Sequence, residues 1–274
     1  MTDAADHAAE VEAWRAGRYA HLRGDHSWLT LAGLGWLKPG VNRLGSAADA
    51  DVVLPAGPAE AGSVTVTSDG PIADGAFTHD GSPVAGLRLE TDANGDPTLL
   101  ELGALHLCVI ERGGRLAIRS WDTESTRRRD FDGIDHWPVQ LAWRFRARYE
   151  ATPGAILAVP DVIGIVEEQS SPATVAFEVE GVTHRLQGLE GGPNGELWLV
   201  FGDATNGQET YGGGRFLYTG APEPDGTAVV DFNRAYNPPC VFSPYATCPL
   251  PWPANRLPIR IEAGERLPAS AVGS

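Results

Sequence analysis

Short runs of alternating apolar and polar residues recur along this chain, and they constrain its fold more than any other feature. Examples are SVTVTS at 63–68, LHLCVIER at 105–112, ELWLVFG at 196–202 and LPIRIEAG at 257–264. Alternation with a period of two places every second side chain on the same face of a β-strand. Turn sequences such as SDG, HDG, RGG and PDG separate the runs and supply the positive φ angles that tight hairpins need. The sequence therefore predicts a mainly β protein made of antiparallel strands.

One segment shows helical periodicity instead. Residues 3–23 place an aromatic and aliphatic stripe on one helical face, with spacings of three and four residues. The stripe consists of Val11, Trp14, Arg15, Arg18, Tyr19 and Leu22. The strand rhythm also breaks at 125–138, STRRRDFDGIDHWP, where we place a domain boundary or crossover. We predict an N-terminal helix over 1–24, a β-sandwich over 25–124, and a second antiparallel barrel or sandwich with a polar pocket over 139–266.

The acidic composition excludes several classes of partner. Asp and Glu number 36 against 21 Lys and Arg, which gives a net charge of -15. A phosphate backbone or an anionic membrane would be repelled by most of such a surface. The N-terminus lacks the apolar core of a signal peptide, and no apolar run is long enough to span a bilayer. We expect a cytoplasmic protein that binds neither nucleic acid nor membrane, while a small ligand, a protein partner and a homo-oligomer stay open.

Two segments have an unusual composition. The run DFNRAYNPPCVFSPYATCPLPWPANRLPI at 231–259 holds seven of the 21 prolines and two of the three cysteines. No Asp or Glu occurs between Phe232 and Ile261, although three arginines do. The second segment, FGDATNGQETYGGGRFLYTG at 201–220, follows an apolar strand. Both are rich in Asn, Tyr, Thr and Arg, the residue types that line selective polar pockets.

These segments supply the candidate site residues. Guanidinium groups match planar anions, so Arg215, Arg234 and Arg256 are candidate donors to a carboxylate or phosphate. The alternative is that each arginine pairs with a buried aspartate and pins its loop. The acid/base candidates are Asp203, Glu209 and Tyr211. The predicted ligand-binding residues are Thr205, Arg215, Asn233, Arg234, Tyr236, Asn237, Tyr245 and Arg256.

No established cofactor or catalytic motif accompanies these residues. The glycine triplet at 212–214 belongs to no nucleotide-binding fingerprint and is typical of a bulge or hairpin. The chain contains neither G-x-S-x-G nor H-E-x-x-H. Cys240 and Cys248 lack two nearby partners for zinc, since no histidine follows His184. They are either reduced thiols that hold the loop or a redox pair without the C-x-x-C spacing. The sequence predicts no cofactor and no metal.

Three functions are consistent with this pattern. The first is a small-molecule site in the C-terminal β domain for a polar or anionic metabolite, either binding or hydrolytic. If the site is hydrolytic, the protein is a hydrolase. The second is a protein-interaction module that uses the aromatic, proline-rich loop 232–259. The third is a structural oligomer. Exposed Trp252 and Tyr245 on a flat surface would favour a partner, whereas a cavity around the arginines would favour a metabolite.

Two resemblances add to these predictions. LKPGVNRLGSAADADVVLP at 37–55, with FTHDGSPV and ELGALHLCVIERGGRLAIR after it, resembles a forkhead-associated (FHA) domain and implies a β-sandwich. Phosphopeptide binding is not implied, because Ser46 replaces the expected arginine, no Ser-X-X-His follows Pro55 and the hairpin at 79–81 lacks the asparagine. SWLTLAGLGWLKPGVNRLGS, FGDATNGQETYGGGRFLY and the 231–259 run resemble signatures of the prokaryotic domain-of-unknown-function family 1684. That resemblance covers about 14–264 and implies one evolutionary unit and a bacterial source, but no mechanism.

Overall fold

The structure, a computed structural model that describes residues 3–267, consists mainly of antiparallel strands, as predicted. Helix α1 spans Ala4–Leu22, and the first two residues of the predicted segment 1–24 lie outside the described residues. The strands are β1 (Leu31–Trp36), β2 (Gly40–Gly45), β3 (Val52–Val53), β4 (Gly62–Thr67), β5 (Gly70–His79), β6 (Ser82–Arg88), β7 (Leu100–Leu102), β8 (Leu105–Arg112), β9 (Arg115–Asp122), β10 (Arg144–Ala151), β11 (Ile156–Pro160), β12 (Val166–Ser170), β13 (Ala173–Val179), β14 (Val182–Glu190), β15 (Leu197–Phe201), β16 (Arg215–Tyr218) and β17 (Thr227–Asp231). A one-turn helix, α2, covers Thr126–Arg129, and short 3-10 turns cover Asp92–Asn94, Leu141–Trp143, Phe232–Arg234, Pro239–Val241 and Pro253–Asn255. Within the described part of the chain, none of the helices combines the length and apolar character needed to cross a bilayer.

The chain forms two compact units. The first-half unit contains residues 21–131 together with 243–246. The second-half unit contains the described residues up to 20, then 132–242 and 247–267. Most of α1 therefore belongs to the same unit as β10–β17.

The first-half unit is organised around one connected sheet. Its strand order is β1-β9-β8-β7-β5-β4-β2-β3, and β6 pairs with β5. The sheet curls, since a Cβ on Gly35 of β1 would lie 2.5 Å from a methyl group of Val52 in β3. Apolar side chains such as Val64, Phe77 and Leu107 fill its interior. The predicted alternation thus produces an apolar core, while the likeness to an FHA domain stays a prediction.

The second-half unit contains a six-stranded antiparallel sheet with the order β16-β15-β14-β13-β10-β17. A separate hairpin is formed by β11 and β12. The apolar core includes Phe177, Phe201 and Phe232, and the ring of Phe232 meets Phe177 tilted and Phe201 edge-on. Because β15 leads directly into 202–211 and β17 into the 3-10 turn at Phe232–Arg234, this sheet positions both unusual segments.

One predicted strand is absent from the structure. Residues 257–264, LPIRIEAG, alternate as a strand would but form no regular ladder. The backbone carbonyls of Ile261 and Ala263 instead accept hydrogen bonds from the guanidinium of Arg215. Pro258, which lacks an N–H, further disfavours ladder pairing. The alternation here reflects burial of Leu257, Ile261 and Ala263 in the apolar core, while the backbone pairs with a guanidinium and not with a sheet.

Candidate functional site

Arg215 lies at the centre of the second-half unit. Its side chain is completely buried at the start of β16. Nη2 donates to Asp203 Oδ2 at 2.6 Å and to the Ile261 carbonyl at 2.9 Å, while Nη1 donates to the Ala263 carbonyl. Burial lowers the pKa of Arg215, and the charge of Asp203 opposes that shift. Of the two predicted roles, the geometry matches the ion pair with a buried aspartate, because both terminal nitrogens have partners inside the protein.

The loop that follows β15 is held by side-chain hydrogen bonds. Asp203 Oδ1 accepts from the backbone N–H of Thr205 at 2.7 Å and from its hydroxyl at 2.6 Å. The Thr205 hydroxyl also lies 2.8 Å from that of Thr210. Glu209, nearer the surface, accepts from Arg260 Nη2 at 2.6 Å. The acid/base candidates Asp203 and Glu209 are thus both engaged in ion pairs.

A second buried polar group surrounds the 3-10 turn after β17. Asn233 accepts from the backbone N–H of Gln140 and donates to the Gln140 carbonyl, each at 2.9 Å. It also donates to Asp231 Oδ1 at 2.9 Å. The other Asp231 oxygen accepts from His7 Nε2 at 2.8 Å and lies 3.7 Å from Arg234 Nε. These contacts fix the turn that leads from the sheet into the proline-rich run.

A third group ties α1 to the proline-rich run. The completely buried Glu265 accepts from Arg18 Nε at 2.8 Å and from the backbone N–H of Asn237 at 2.6 Å. Arg18 Nη2 also donates to the Asn237 carbonyl at 3.0 Å. The Arg18 guanidinium lies 4.6 Å from the ring centre of Tyr236, a cation–π distance. Nε and Nη2 of Arg18 thus have partners within the protein, and the guanidinium lies against the ring of Tyr236.

Three aromatic rings lie side by side at one edge of the sheet, and we call them the aromatic surface: Trp198, Tyr218 and Tyr236. Trp198 and Tyr218 are paired across β15 and β16, with ring centres 6.4 Å apart and planes 19° apart. Tyr218 and Tyr236 are 6.3 Å and 12° apart. The side chain of Tyr218 is 50% exposed. Burial raises the pKa of Tyr236 well above its usual range, so its hydroxyl stays neutral at physiological pH.

Phe216 supports this surface. It lies two residues before Tyr218 on β16, and its buried ring meets Trp198 edge-on at 4.9 Å. The same ring meets Tyr236 edge-on at 5.8 Å. Edge-to-face contacts of this kind stabilise aromatic pairs beyond their buried area. The three rings are thus held in place before any ligand arrives.

The remaining predicted residues are dispersed. Arg256 is exposed, and Tyr211 is half-buried, which raises its pKa. Tyr245 is exposed in the segment 243–246 of the first-half unit. Trp252 is only 7% exposed, and its indole N–H donates to Gln187 at 2.7 Å. Of the predicted set, Tyr236 contributes to the aromatic surface, whereas Thr205, Arg215, Asn233 and Asn237 are buried.

Sequence reasoning missed four residues of this region: Arg18, Trp198, Tyr218 and Glu265. Arg18 was assigned only to a helical stripe. Trp198 and Tyr218 occur in recognised strand runs, but their pairing depends on a strand register that the sequence does not contain. For Glu265 the sequence offers no signal, because a buried glutamate after an apolar segment resembles a surface residue.

The cysteines of the proline-rich run lie together. The backbone N–H of Cys240 donates to Cys248 Sγ at 3.2 Å, and the two residues are not joined by a disulfide. Cys108 is buried in β8, and burial raises its pKa to about 12. Across residues 3–267, no cluster of three or more His, Cys, Asp or Glu side chains is arranged to hold a metal ion.

Comparison with known proteins finds similarity to one protein family and to a solved structure, and neither has a described function. Residues 129–266 match the family described as "Protein of unknown function (DUF1684)". A solution NMR structure of an uncharacterized protein from Haloarcula marismortui is 30% identical, over 51% of this chain and 79% of that one, with a TM-score of 0.42. No curated protein matches the chain.

Proposed function

This chain belongs to the DUF1684 family, and we propose that its second-half unit binds a small polar metabolite on the aromatic surface. The observation that carries the proposal is the row of three stacked rings, which Phe216 contacts from the same strand face and which is half-exposed at Tyr218. Aromatic rings attract ligands with C–H or π faces, and the exposed Tyr218 carries a phenolic hydroxyl that can form a hydrogen bond. A saccharide ring has both features.

A neutral ligand fits this surface better than an anionic one. The nearest cation, Arg18, has its Nε on Glu265 and its Nη2 on the Asn237 carbonyl. Arg215 is buried against Asp203 and backbone carbonyls. Because these guanidinium groups already have partners, an anion would gain little compensation for losing its hydration. We therefore narrow the predicted polar or anionic metabolite to a neutral one.

The proposal concerns binding and assigns no hydrolytic step. Asp203 forms an ion pair with Arg215 and Glu209 forms one with Arg260, each at 2.6 Å. A general acid or base must reach the substrate proton within hydrogen-bonding distance. The three rings of the aromatic surface carry two phenolic hydroxyls and one buried indole N–H, and these groups suit recognition better than proton transfer.

Binding can be tested with neutral saccharides. Glucose, N-acetylglucosamine, maltose and cellobiose would be titrated into the full chain, with saturation-transfer NMR and tryptophan fluorescence as readouts. We expect at least one to bind, and we expect glucose to bind at least as tightly as glucuronate. Removing one stacking ring costs about 0.5–1.5 kcal/mol beyond its area, so Tyr218→Ala should weaken affinity about tenfold.

Tyr245→Ala is the matched control, since Tyr245 is also an exposed tyrosine but lies outside the second-half unit. It should leave affinity unchanged. Equal affinities for Tyr218→Ala and the wild type, or no binding by any of the four saccharides, would refute the proposal. Tighter binding of glucuronate than of glucose would favour an anionic ligand over a neutral one.

A further inference from the structure

The two cysteines of the proline-rich run have a geometry that the proposed ligand site does not use. Cys248 Sγ lies 3.2 Å from the backbone nitrogen of Cys240 and accepts its hydrogen bond. The Cys240 thiol is also hydrogen-bonded to that of Cys248. A disulfide requires short Cβ separations, which two thiols in hydrogen-bonding contact already approach. Little backbone movement would be needed to join the two sulfurs.

The backbone around this pair is held on both sides. Cys240 lies within the 3-10 turn Pro239–Val241, and Pro238 precedes that turn. The Cys248 carbonyl accepts from the N–H of Val162 at 3.0 Å. Leu250 donates to the Pro160 carbonyl at 2.7 Å. The contact between the thiols is thus supported by the fold and does not depend on a loose loop.

The two thiols differ in accessibility. Cys240 is partly exposed, whereas Cys248 is 3% exposed. The hydrogen bond from Cys248 lowers the pKa of Cys240, although burial and the charge of Asp161 oppose it. A partly exposed cysteine with a stabilised thiolate reacts with oxidants, and a neighbouring thiol can then resolve the product. Cys240 is suited to the first role and Cys248 to the second.

We propose that Cys240 and Cys248 form a reversible dithiol–disulfide pair that responds to peroxide. In the first step the Cys240 thiolate attacks one peroxide oxygen, the O–O bond breaks, and Cys240 becomes a sulfenic acid; the leaving hydroxide takes up the proton that the Cys240 thiol lost on ionisation and departs as water. In the second step the Cys248 sulfur attacks the Cys240 sulfur, the S–O bond breaks and a second water leaves. Two thiols and one hydrogen peroxide thus give one disulfide and two waters. Two equivalents of a low-molecular-weight thiol reverse the change by thiol–disulfide exchange.

Intact-mass spectrometry of the full chain provides the test. One equivalent of hydrogen peroxide should remove about 2 Da from the wild type, and peptide mapping should locate a Cys240–Cys248 cross-link. Dithiothreitol should restore the original mass. Cys248→Ser should stop at a sulfenic acid that dimedone traps on Cys240. Cys240→Ser should react at least tenfold more slowly, because only the buried Cys248 remains in the pair.

Cys108→Ala is the matched control, since this third cysteine is buried in the first-half unit. It should cross-link at the wild-type rate. Absence of the 2 Da loss in the wild type would overturn the proposal, as would a cross-link that includes Cys108 or joins two chains. Equal rates for Cys240→Ser and Cys248→Ser would overturn the assignment of Cys240 as the attacking group. If either serine variant folds poorly, the wild-type cross-link alone decides the result.

Discussion

The interiors of the two units differ in what fills them. The first-half unit has an apolar core, and its most buried charged side chain among the described residues is Arg119, at 8% exposure. The second-half unit adds the completely buried Arg215 and Glu265 to its apolar cluster. A buried charge costs several kcal/mol unless it is paired and hydrogen-bonded, and both of these are. Hydrophobic alternation therefore accounts for one unit, whereas the other also depends on specific polar partners.

The largest expected loss of stability comes from replacing the buried Arg215 by methionine, and the same replacement at a core leucine of the first-half unit is the comparison. Arg215→Met leaves the Asp203 carboxylate buried without its cation, which should lower the free energy of unfolding by about 3–5 kcal/mol. Leu107→Met keeps volume and polarity in the first-half core and should cost less than about 1.5 kcal/mol. Urea denaturation monitored by tryptophan fluorescence measures both values.

The double substitution Asp203→Leu with Arg215→Met controls for this effect. Replacing both ions removes the unpaired charge, so the double variant should be more stable than Arg215→Met alone. A cost for Arg215→Met no greater than that for Leu107→Met would show that the two interiors do not differ in the way described.

This contrast also explains what could be predicted from the sequence. The period-two pattern correctly indicated β8, β13 and β15, and the helical stripe correctly indicated α1. The same pattern was wrong for 257–264, where the carbonyls bond to Arg215. Local periodicity reports which side of a segment is buried, but not whether its backbone partner is a strand or a guanidinium. That choice depends on a residue more than 40 positions away.

The aromatic surface illustrates the same limit. Tyr236 was selected because its segment has an unusual composition. Trp198 and Tyr218 were not, because each resembles an ordinary strand residue until the pairing of β15 with β16 sets them opposite each other. A one-residue shift in that register would move Tyr218 away from Trp198. Site residues on paired strands thus require the fold before they can be recognised.

A smaller effect is expected from two buried asparagines, one in each unit. Asn42 of β2 makes hydrogen bonds to backbone groups only, including the N–H and carbonyl of Lys38 at 2.9 and 2.8 Å. Asn233 bonds to the backbone of Gln140 and also to the carboxylate of Asp231. Hydrogen bonds to charged groups contribute more than neutral ones. We expect Asn233→Ala to cost about 3 kcal/mol and Asn42→Ala about 2 kcal/mol.

Urea denaturation again measures these costs, with Asp69→Ala, a change at an exposed turn, as the control that should be nearly silent. A larger loss of stability for Asn42→Ala than for Asn233→Ala would contradict the view that the second-half unit depends more on its buried polar hydrogen bonds.

The smallest expected effect is a pH dependence that the two units share. Burial lowers the pKa of His136 in the second-half unit, with a further contribution from the Arg15 charge. Burial also lowers the pKa of His26 in the first-half unit, followed by the charge of His106, whose Nδ1 lies 2.6 Å from His26 Nε2. In both cases the unfolded chain takes up a proton more readily than the folded one. Stability should therefore fall as the pH drops below about 6.5, the ordinary histidine pKa.

The free energy of unfolding measured at pH 7.5 and at pH 5.5 tests this expectation. His136→Phe and His26→Gln should each reduce the loss on acidification, because each removes a site at which the unfolded state gains a proton. The larger reduction should come from His136, which donates from Nδ1 to the Ile134 carbonyl at 2.7 Å and whose Nε2 is buried without a partner in the described chain. His26 is more exposed, so water screens its charge. An equal or larger reduction for His26→Gln would place the main acid-sensitive histidine in the first-half unit and contradict this part of the comparison.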